Sequence, residues 1–182
     1  MVGHVCPWWT AYTFDNVFRR LLYKPEKLFA PHVDRGMTAM DVGCGMGFNA
    51  IGLARIVGDE GRVIAVDLQR KILDVLTKRA RRTGVDHRIQ THLCTADSIG
   101  IDETVDFVVA FWMVHEVPDA SHLLRELHAC LRAGGKLFVA EPKFHVSNED
   151  LDATLHTAET IGLKVCDRPR VRWSRSAVLV RQ

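Results

Sequence analysis

The stretch DVGCGMG, Asp41–Gly47, places glycines at 43, 45 and 47 behind an aspartate. Glycines at such spacing let a backbone turn sharply and approach a ligand closely. A second acid, Asp67, stands twenty residues beyond Gly47 at the end of the β-branched run RVIAVDL. That spacing fits a carboxylate gripping the two hydroxyls of a ribose. A dinucleotide fingerprint G-x-G-x-x-G would put its last glycine at 48, where Phe48 stands. Asp41 also sits where a pyrophosphate would meet like charge. A nucleoside-like ligand that is cationic beside the turn fits better, and S-adenosylmethionine is one, with an ammonium, a sulfonium and no phosphate.

Transfer from a sulfonium is an in-line displacement, so alignment and water exclusion carry most of the catalysis. A general base is needed only for a nucleophile that holds its proton. His115, Glu116, Glu141 and His145 supply candidates in two downstream loops. Glu116 has a plainer reading, satisfying loop backbone ahead of Val117-Pro118. Trp112 and Met113 are either core or a wall around the methyl group. His-Glu at 115 and 116 is not a spaced ligand pair, so no metal site is expected.

These residues need a frame, and the pattern from Met37 onward alternates strand and helix. Strands are expected at TAMDV, RVIAVDL, HRIQTHLC, VDFVVAFWMV, KLFVAEP, LKVCDRPRV and SRSAVLVRQ. Helices are expected over 50–57, over 70–83 with a stop at Gly84, and over 119–131 with Asp119 as N-cap and Ala133-Gly134-Gly135 closing it. A last helix opens at SNED, which carries the capping-box pattern, and runs to Gly162. The alternation implies an α/β, doubly wound, mostly parallel sheet with room for seven strands. The short link Arg172–Ser174 makes the last strand antiparallel. Residues 1–35 stand apart: Trp8, Trp9, Tyr12, Phe14, Phe18 and Phe29 make them aromatic-rich, as in a short helical cap. The domain proper is 36–182.

D-x-G-x-G-x-G with an acid ending the next strand resembles motifs I and II of the class I S-adenosylmethionine-dependent methyltransferases. VDFVVAFWMVHEVPD resembles their fourth-strand segment and its exit loop. LRAGGKLFVAEP resembles their L-x-P-G-G turn and fifth strand. The resemblance runs from Met37 to Gln182 and is nearest the small-molecule group related to ubiquinone-biosynthesis methyltransferases. It implies a Rossmann-like methyltransferase fold and S-adenosylmethionine as cofactor. It further implies that Asp41 and the Gly43, Cys44, Gly45 and Gly47 backbone surround the methionine moiety. Asp67 then binds the ribose, Leu68 packs on adenine, and Phe111 offers its carbonyl to the ammonium. The adenine edge falls to the loop CTADS, where the family's aspartate aligns with Thr95. Ala96 supplies backbone there, and the side-chain role rests with Thr95 or Asp97. Trp9, Tyr12, Trp112, His115 and Glu141 are expected around the acceptor, with His115 as the candidate catalytic residue and the N-terminal aromatics as a lid. Cys44 is expected to be a small filler. Asp67→Ala is expected to remove cofactor affinity with little loss of stability.

The bulk composition narrows the partners. The 182 residues suit one domain with a sizeable core. A net charge of +2 gives no footprint for nucleic acid. The arginines of 168–181 alternate with apolar residues and read as the solvated face of a strand rather than a binding tail. No run reaches the roughly 18 apolar residues of a membrane span, and no membrane partner is expected. The start lacks the pattern of a signal peptide. Five scattered cysteines without a CxxC pair fit a reducing, cytoplasmic setting. The expected partner is a small-molecule methyl acceptor. A nicotinamide-dependent oxidoreductase and a non-catalytic cofactor binder are the alternatives. Oligomeric state and acceptor are not encoded in any pattern found.

Overall fold

The computed structural model describes residues 23–182. Among them the strands are β1 (Thr38–Val42), β2 (Arg62–Asp67), β3 (Ile89–Leu93), β4 (Val105–Phe111), β5 (Leu131–Pro142), β6 (Leu163–Asp167) and β7 (Ser174–Arg181). The helices are α1 (Pro25–Phe29), α2 (Phe48–Val57), α3 (Arg70–Thr83), α4 (Ala120–Cys130) and α5 (Asn148–Ile161). The strands form one sheet in the order β3-β2-β1-β4-β5-β7-β6. β1 to β5 pair in parallel, and β7 lies antiparallel between β5 and β6.

Strand periodicity divides the core between the two faces. Met40, Ile64, Val108 and Leu137 point to one side, where Leu123, Leu124 and Leu127 of α4 and Leu151 and Leu155 of α5 cover them. Their neighbours Ala39, Val63, Phe107 and Phe138 point to the other side, under Leu53 and Ala54 of α2 and Leu73 and Leu76 of α3. Both faces of the central strands are thus buried, as a parallel sheet requires.

The helix ends follow the local chemistry. Asp119 accepts the His122 amide at 2.8 Å. Ser147 and Asp150 form the reciprocal capping box. Gly84 and Gly162 end α3 and α5 in the left-handed conformation.

Three boundaries differ from the sequence expectation. α4 stops at Cys130 and the chain passes straight into β5, so Ala133-Gly134-Gly135 does not close a helix. It forms a bulge instead: Val105 pairs with Leu131, and Phe107 next pairs with Lys136. Gly135 allows this because a Cβ there would lie 2.8 Å from the Arg132 carbonyl. β6 ends at Asp167 rather than Val171, leaving Arg168–Trp173 as the connection. Pro169 has no N–H to add to a ladder, and Val171 turns into the core. β4 ends at Phe111 because Trp112 takes a positive φ of 59°.

Of the N-terminal segment, α1 is described. Its Phe29 is fully buried and meets Phe138 edge-on at 5.2 Å. Trp9 and Tyr12 lie outside the described residues, as do Trp8, Phe14 and Phe18.

Trp173, in the β6–β7 connection, also has a positive φ, 61°. Left-handed backbone costs a non-glycine residue roughly 1–2 kcal/mol, and asparagine tolerates it better. The ring is 55% exposed and faces the Arg172 guanidinium at 5.3 Å. Trp173→Asn is therefore expected to raise stability by about 1 kcal/mol, allowing ~0.5 kcal/mol for the lost cation–π contact. That is about 2–4 °C in Tm by calorimetry for a domain of this size. A lower Tm would refute the strain.

Candidate active site

The sheet order reverses between β1 and β4, which is where open α/β sheets bind ligands at the carboxyl ends of their strands. The Gly43–Gly47 turn leaves β1 at that point. Its three glycines have φ of 66°, 51° and 83°. They meet two different needs. A Cβ on Gly43 would lie 2.9 Å from Met113 Cβ, and one on Gly47 would lie 2.6 Å from Leu76 Cγ. Those two glycines let the turn pack against the β4 exit loop and α3. A Cβ on Gly45 would meet nothing within 4 Å, so that face of the turn is open. Cys44 is buried between them and its amide donates to the Val66 carbonyl at 3.0 Å. Burial, reinforced by Asp41 and Asp67, pushes its thiol well above the ordinary range.

Two carboxylates flank the turn. Asp41, in β1, is 1% exposed, and Asp67, ending β2, is 8% exposed. Asp67 Oδ2 accepts the Gly45 amide at 3.1 Å and Oδ1 accepts the Gln69 amide at 2.9 Å. Burial raises the Asp67 carboxyl above its usual range, and these amides hold part of that rise back. Leu68, next along, exposes 39% of its surface. The Cys94 amide donates to the Asp67 carbonyl at 3.1 Å, which brings the loop after β3 alongside. Thr95 donates through its amide and its hydroxyl to the Ser98 carbonyl, leaving the hydroxyl oxygen able to accept. Ala96 and Asp97 are exposed at the loop tip.

Phe111 ends β4, and Tyr23 stacks on it at 4.8 Å while donating its hydroxyl to Asn49 Oδ1 at 2.9 Å. Trp112 is pinned from two sides: its amide donates to the Ala140 carbonyl at 2.7 Å and its Nε1 to Ser174 Oγ at 2.9 Å.

His115 and Glu141 come together. The buried Glu141 carboxylate accepts the Val114 amide at 3.2 Å and the His115 amide at 3.1 Å, and lies 2.5 Å from His115 Nδ1. The carboxylate therefore holds the imidazole by Nδ1 and raises its pKa, while partial burial works against the rise. Nε2 is left for other partners. His145 stacks on His115 at 5.5 Å. All three line a cavity of about 280 Å³ with Val114, Val117 and Val146. Satisfying loop backbone, a role the sequence suggested for Glu116, falls to Glu141, while Glu116 is exposed.

The structure thus brings Asp41, Asp67, Leu68 and the glycine turn into one group, and His115, Glu141 and His145 into another. Sequence reasoning missed Tyr23, Asn49 and Glu126. Glu126 of α4 ties down the loop after β3 through Ser98 Oγ at 2.5 Å and the Ile99 amide at 3.2 Å. Its helical position gave no sign of a partner 28 residues away. Among the described residues no group of three or more His, Cys, Asp or Glu is arranged to hold a metal ion. None of their helices is long and apolar enough to cross a membrane.

A family model described as "Methyltransferase domain" matches residues 39–135. A demethylmenaquinone methyltransferase of Lactobacillus johnsonii is 33% identical over 130 residues, covering 70% of this chain and 50% of that protein. A ubiquinone/menaquinone biosynthesis C-methyltransferase of Enterobacter is 29% identical over 121 residues, 66% of this chain and 48% of that protein. The chain spans about half the length of these curated relatives. Among solved structures, a SAM-dependent methyltransferase from Aquifex aeolicus superposes with a TM-score of 0.85 at 22% identity, covering 96% of this chain and 98% of that one. The [4+2]-cyclase SpnF shares the fold at a TM-score of 0.68 and 23% identity, over 80% of this chain and 59% of that one. At such identities the likeness is one of fold, and the fold admits more than one chemistry.

Proposed function

The chain belongs to the methyltransferase domain family, and from that premise we propose that it transfers the methyl group of S-adenosylmethionine to a small molecule. The observation that carries this reading is the pair of buried carboxylates, Asp41 and Asp67, flanking a glycine turn whose Gly45 face is open. Asp41 suits an ammonium and opposes a pyrophosphate, and Asp67 suits a ribose. The exposed Leu68 offers an apolar surface for a base beside them. The residues present therefore fit the cofactor.

In this reading Asp41 and the backbone of Gly43, Cys44, Gly45 and Gly47 hold the methionine end, with the Phe111 carbonyl accepting from the ammonium. Asp67 accepts from the ribose hydroxyls. Ala96, with Thr95 or Asp97, borders the adenine. When bound, the cofactor supplies an activated methyl group. Trp112 walls the acceptor side, and His115 takes the acceptor's proton at Nε2 while Glu141 fixes the ring through Nδ1. Trp9 and Tyr12, outside the described residues, are the proposed lid residues, and Tyr23, stacked on Phe111, is consistent with aromatics on that side. The names of the relatives support a small-molecule acceptor. The free cysteines Cys44, Cys94, Cys130 and Cys166 support a reducing, cytoplasmic setting.

Isothermal calorimetry tests the reading directly. S-adenosylhomocysteine is expected to titrate to one site, and NAD to give no saturable heat. Binding of NAD without S-adenosylhomocysteine would place the chain with nicotinamide enzymes instead.

A further inference from the structure

The loop between β3 and β4, proposed to border the adenine, is braced by a helix it does not adjoin in sequence. Glu126 shares α4 with the buried Leu123 and Leu127, and its own side chain is only 21% exposed. Its Oε1 accepts the Ser98 hydroxyl at 2.5 Å, and both carboxylate oxygens lie 3.2 Å from the Ile99 amide. His122, one turn earlier, stands farther off at 3.8 Å. A carboxylate drawn away from water keeps its charge by accepting from such donors. This one is committed to the loop.

Ser98 passes the restraint on. Its hydroxyl donates to Glu126 and accepts the Gly100 amide at 3.0 Å. Its carbonyl accepts from Thr95 twice, from the amide at 3.1 Å and from the hydroxyl at 3.3 Å. A threonine hydroxyl has one proton to give. With that proton directed at Ser98, Thr95 Oγ1 can only accept from a further partner. Thr95 is exposed, so its oxygen is open to one. The other end of the loop is tied through the Cys94 amide to the carbonyl of Asp67, the residue proposed to hold the ribose. None of these bonds reaches Asp97, the other polar side chain at the tip. An acceptor of fixed sense can tell purines apart. Adenine presents an exocyclic amino group, a donor. A base with a carbonyl in that place presents a second acceptor, which leaves both oxygens unpaired. A loose loop would let Thr95 turn and offer its proton instead, and the tether through Ser98 opposes that.

We propose that Glu126, acting through Ser98, is a positioning residue that locks Thr95 as an acceptor, so that the site selects a cofactor with an amino-bearing purine over one with an oxo-purine. The inference rests on the methyl-transfer reading and adds the side chain that reads the base and the acid that holds it in place.

Isothermal calorimetry with S-adenosylhomocysteine and S-inosylhomocysteine, which differ in that one group, tests it. Wild type should prefer the adenine compound about tenfold, the effect of one hydrogen bond exchanged for an unmatched acceptor. Thr95→Val, which keeps the shape, should reduce the preference to about twofold or less. Glu126→Ala and Ser98→Ala should each reduce it to about threefold, and the double variant no further, because both cut one tether. Glu126→Gln retains an oxygen for the Ser98 hydroxyl and should keep most of the preference. A carboxylate that merely stabilised the loop would, on substitution, lower Tm and weaken both compounds equally; that outcome, with the preference intact, overturns the proposal. So does a wild type that binds the two equally, or a preference lost in Asp97→Asn and kept in Thr95→Val. A wild type that binds neither compound removes the methyl-transfer reading and this inference with it. Binding of S-adenosylhomocysteine with a preference indifferent to Glu126 removes this inference alone.

Discussion

Asp67→Ala is expected to weaken S-adenosylmethionine binding by about 100-fold or more. In the proposed complex the carboxylate accepts two ribose hydroxyls, and hydrogen bonds to a charged acceptor are worth about 1.5–3 kcal/mol each. The same carboxylate already accepts the amides of Gly45 and Gln69. Removing it strands both donors at about 1–3 kcal/mol each where they are shielded from water. The stability loss expected from sequence was small; the structure makes it substantial. Asp67→Asn separates the effects, since it retains an acceptor for one amide but not the charge. The pH dependence follows from the raised carboxyl. Protonation removes the acceptor, so affinity should fall as pH drops through the raised value. In the cofactor-free protein the sign is opposite: a raised folded pKa stabilises on the acid side, and that contribution fades as pH rises through it. Calorimetric titration and thermal unfolding across pH measure both. Unchanged affinity in Asp67→Ala would remove Asp67 from the ribose.

Glu141→Ala should be the most damaging single change to the fold around the site. Three donors converge on this buried carboxylate: two backbone amides and the His115 ring. Leaving them without an acceptor costs about 3–5 kcal/mol, a large share of the 5–15 kcal/mol that stabilises a typical domain. Tm should fall by about 10 °C. Glu141→Gln keeps the volume and an oxygen acceptor but withdraws the charge, so the His115 pKa should drop back toward its ordinary value, as NMR titration of the ring would show. His115 is raised in the folded state. Its contribution to stability is therefore fully present below the unfolded value, about 6.5. It is lost as pH rises through the folded value. The gap between wild type and Glu141→Gln should accordingly be widest on the acid side and narrow as pH rises through the raised folded value. If Nε2 takes the acceptor's proton, the variant's rate should fall about 100-fold. The acid limb of its pH–rate profile should also move to lower pH. A His115 pKa that is identical in both proteins would dissolve the pairing.

The sequence marked both Asp67 and Glu141 as candidates, but the bond between Glu141 and the loop after β4 was not legible in it, and the reason is range. Asp67 ends a β-branched run at a fixed distance from a glycine turn, and local pattern carries that. Gly84, Gly162 and the Ser147–Asp150 capping box are likewise local devices, and each ends or begins a helix where the sequence places it. Glu141 lies 27 and 26 residues from the two amides it serves. Sequence could mark it as polar at a strand end but could not separate a pocket wall from the brace of another loop. The Ala133-Gly134-Gly135 bulge failed for a related reason. Two glycines after a helix look like a stop, and only pairing with β4 shows that they let β5 begin early. Trp173 had no signal at all, because nothing in the pattern anticipates an indole on left-handed backbone.

The position of β7 bears on how the chain is made. β5 and β6 are synthesised before it, yet β7 lies between them and pairs with both. Until Ser174–Arg181 leaves the ribosome, the edge of β5 has its donors and acceptors uncovered, and the strand offers Leu137, Phe138 and Val139 to any extended neighbour. The nascent domain can assemble β1 to β5 as it emerges, but its sheet closes only with the insertion of that late strand. Translation halted before Ser174 should yield a product that holds chaperones or aggregates, however complete its ligand turn.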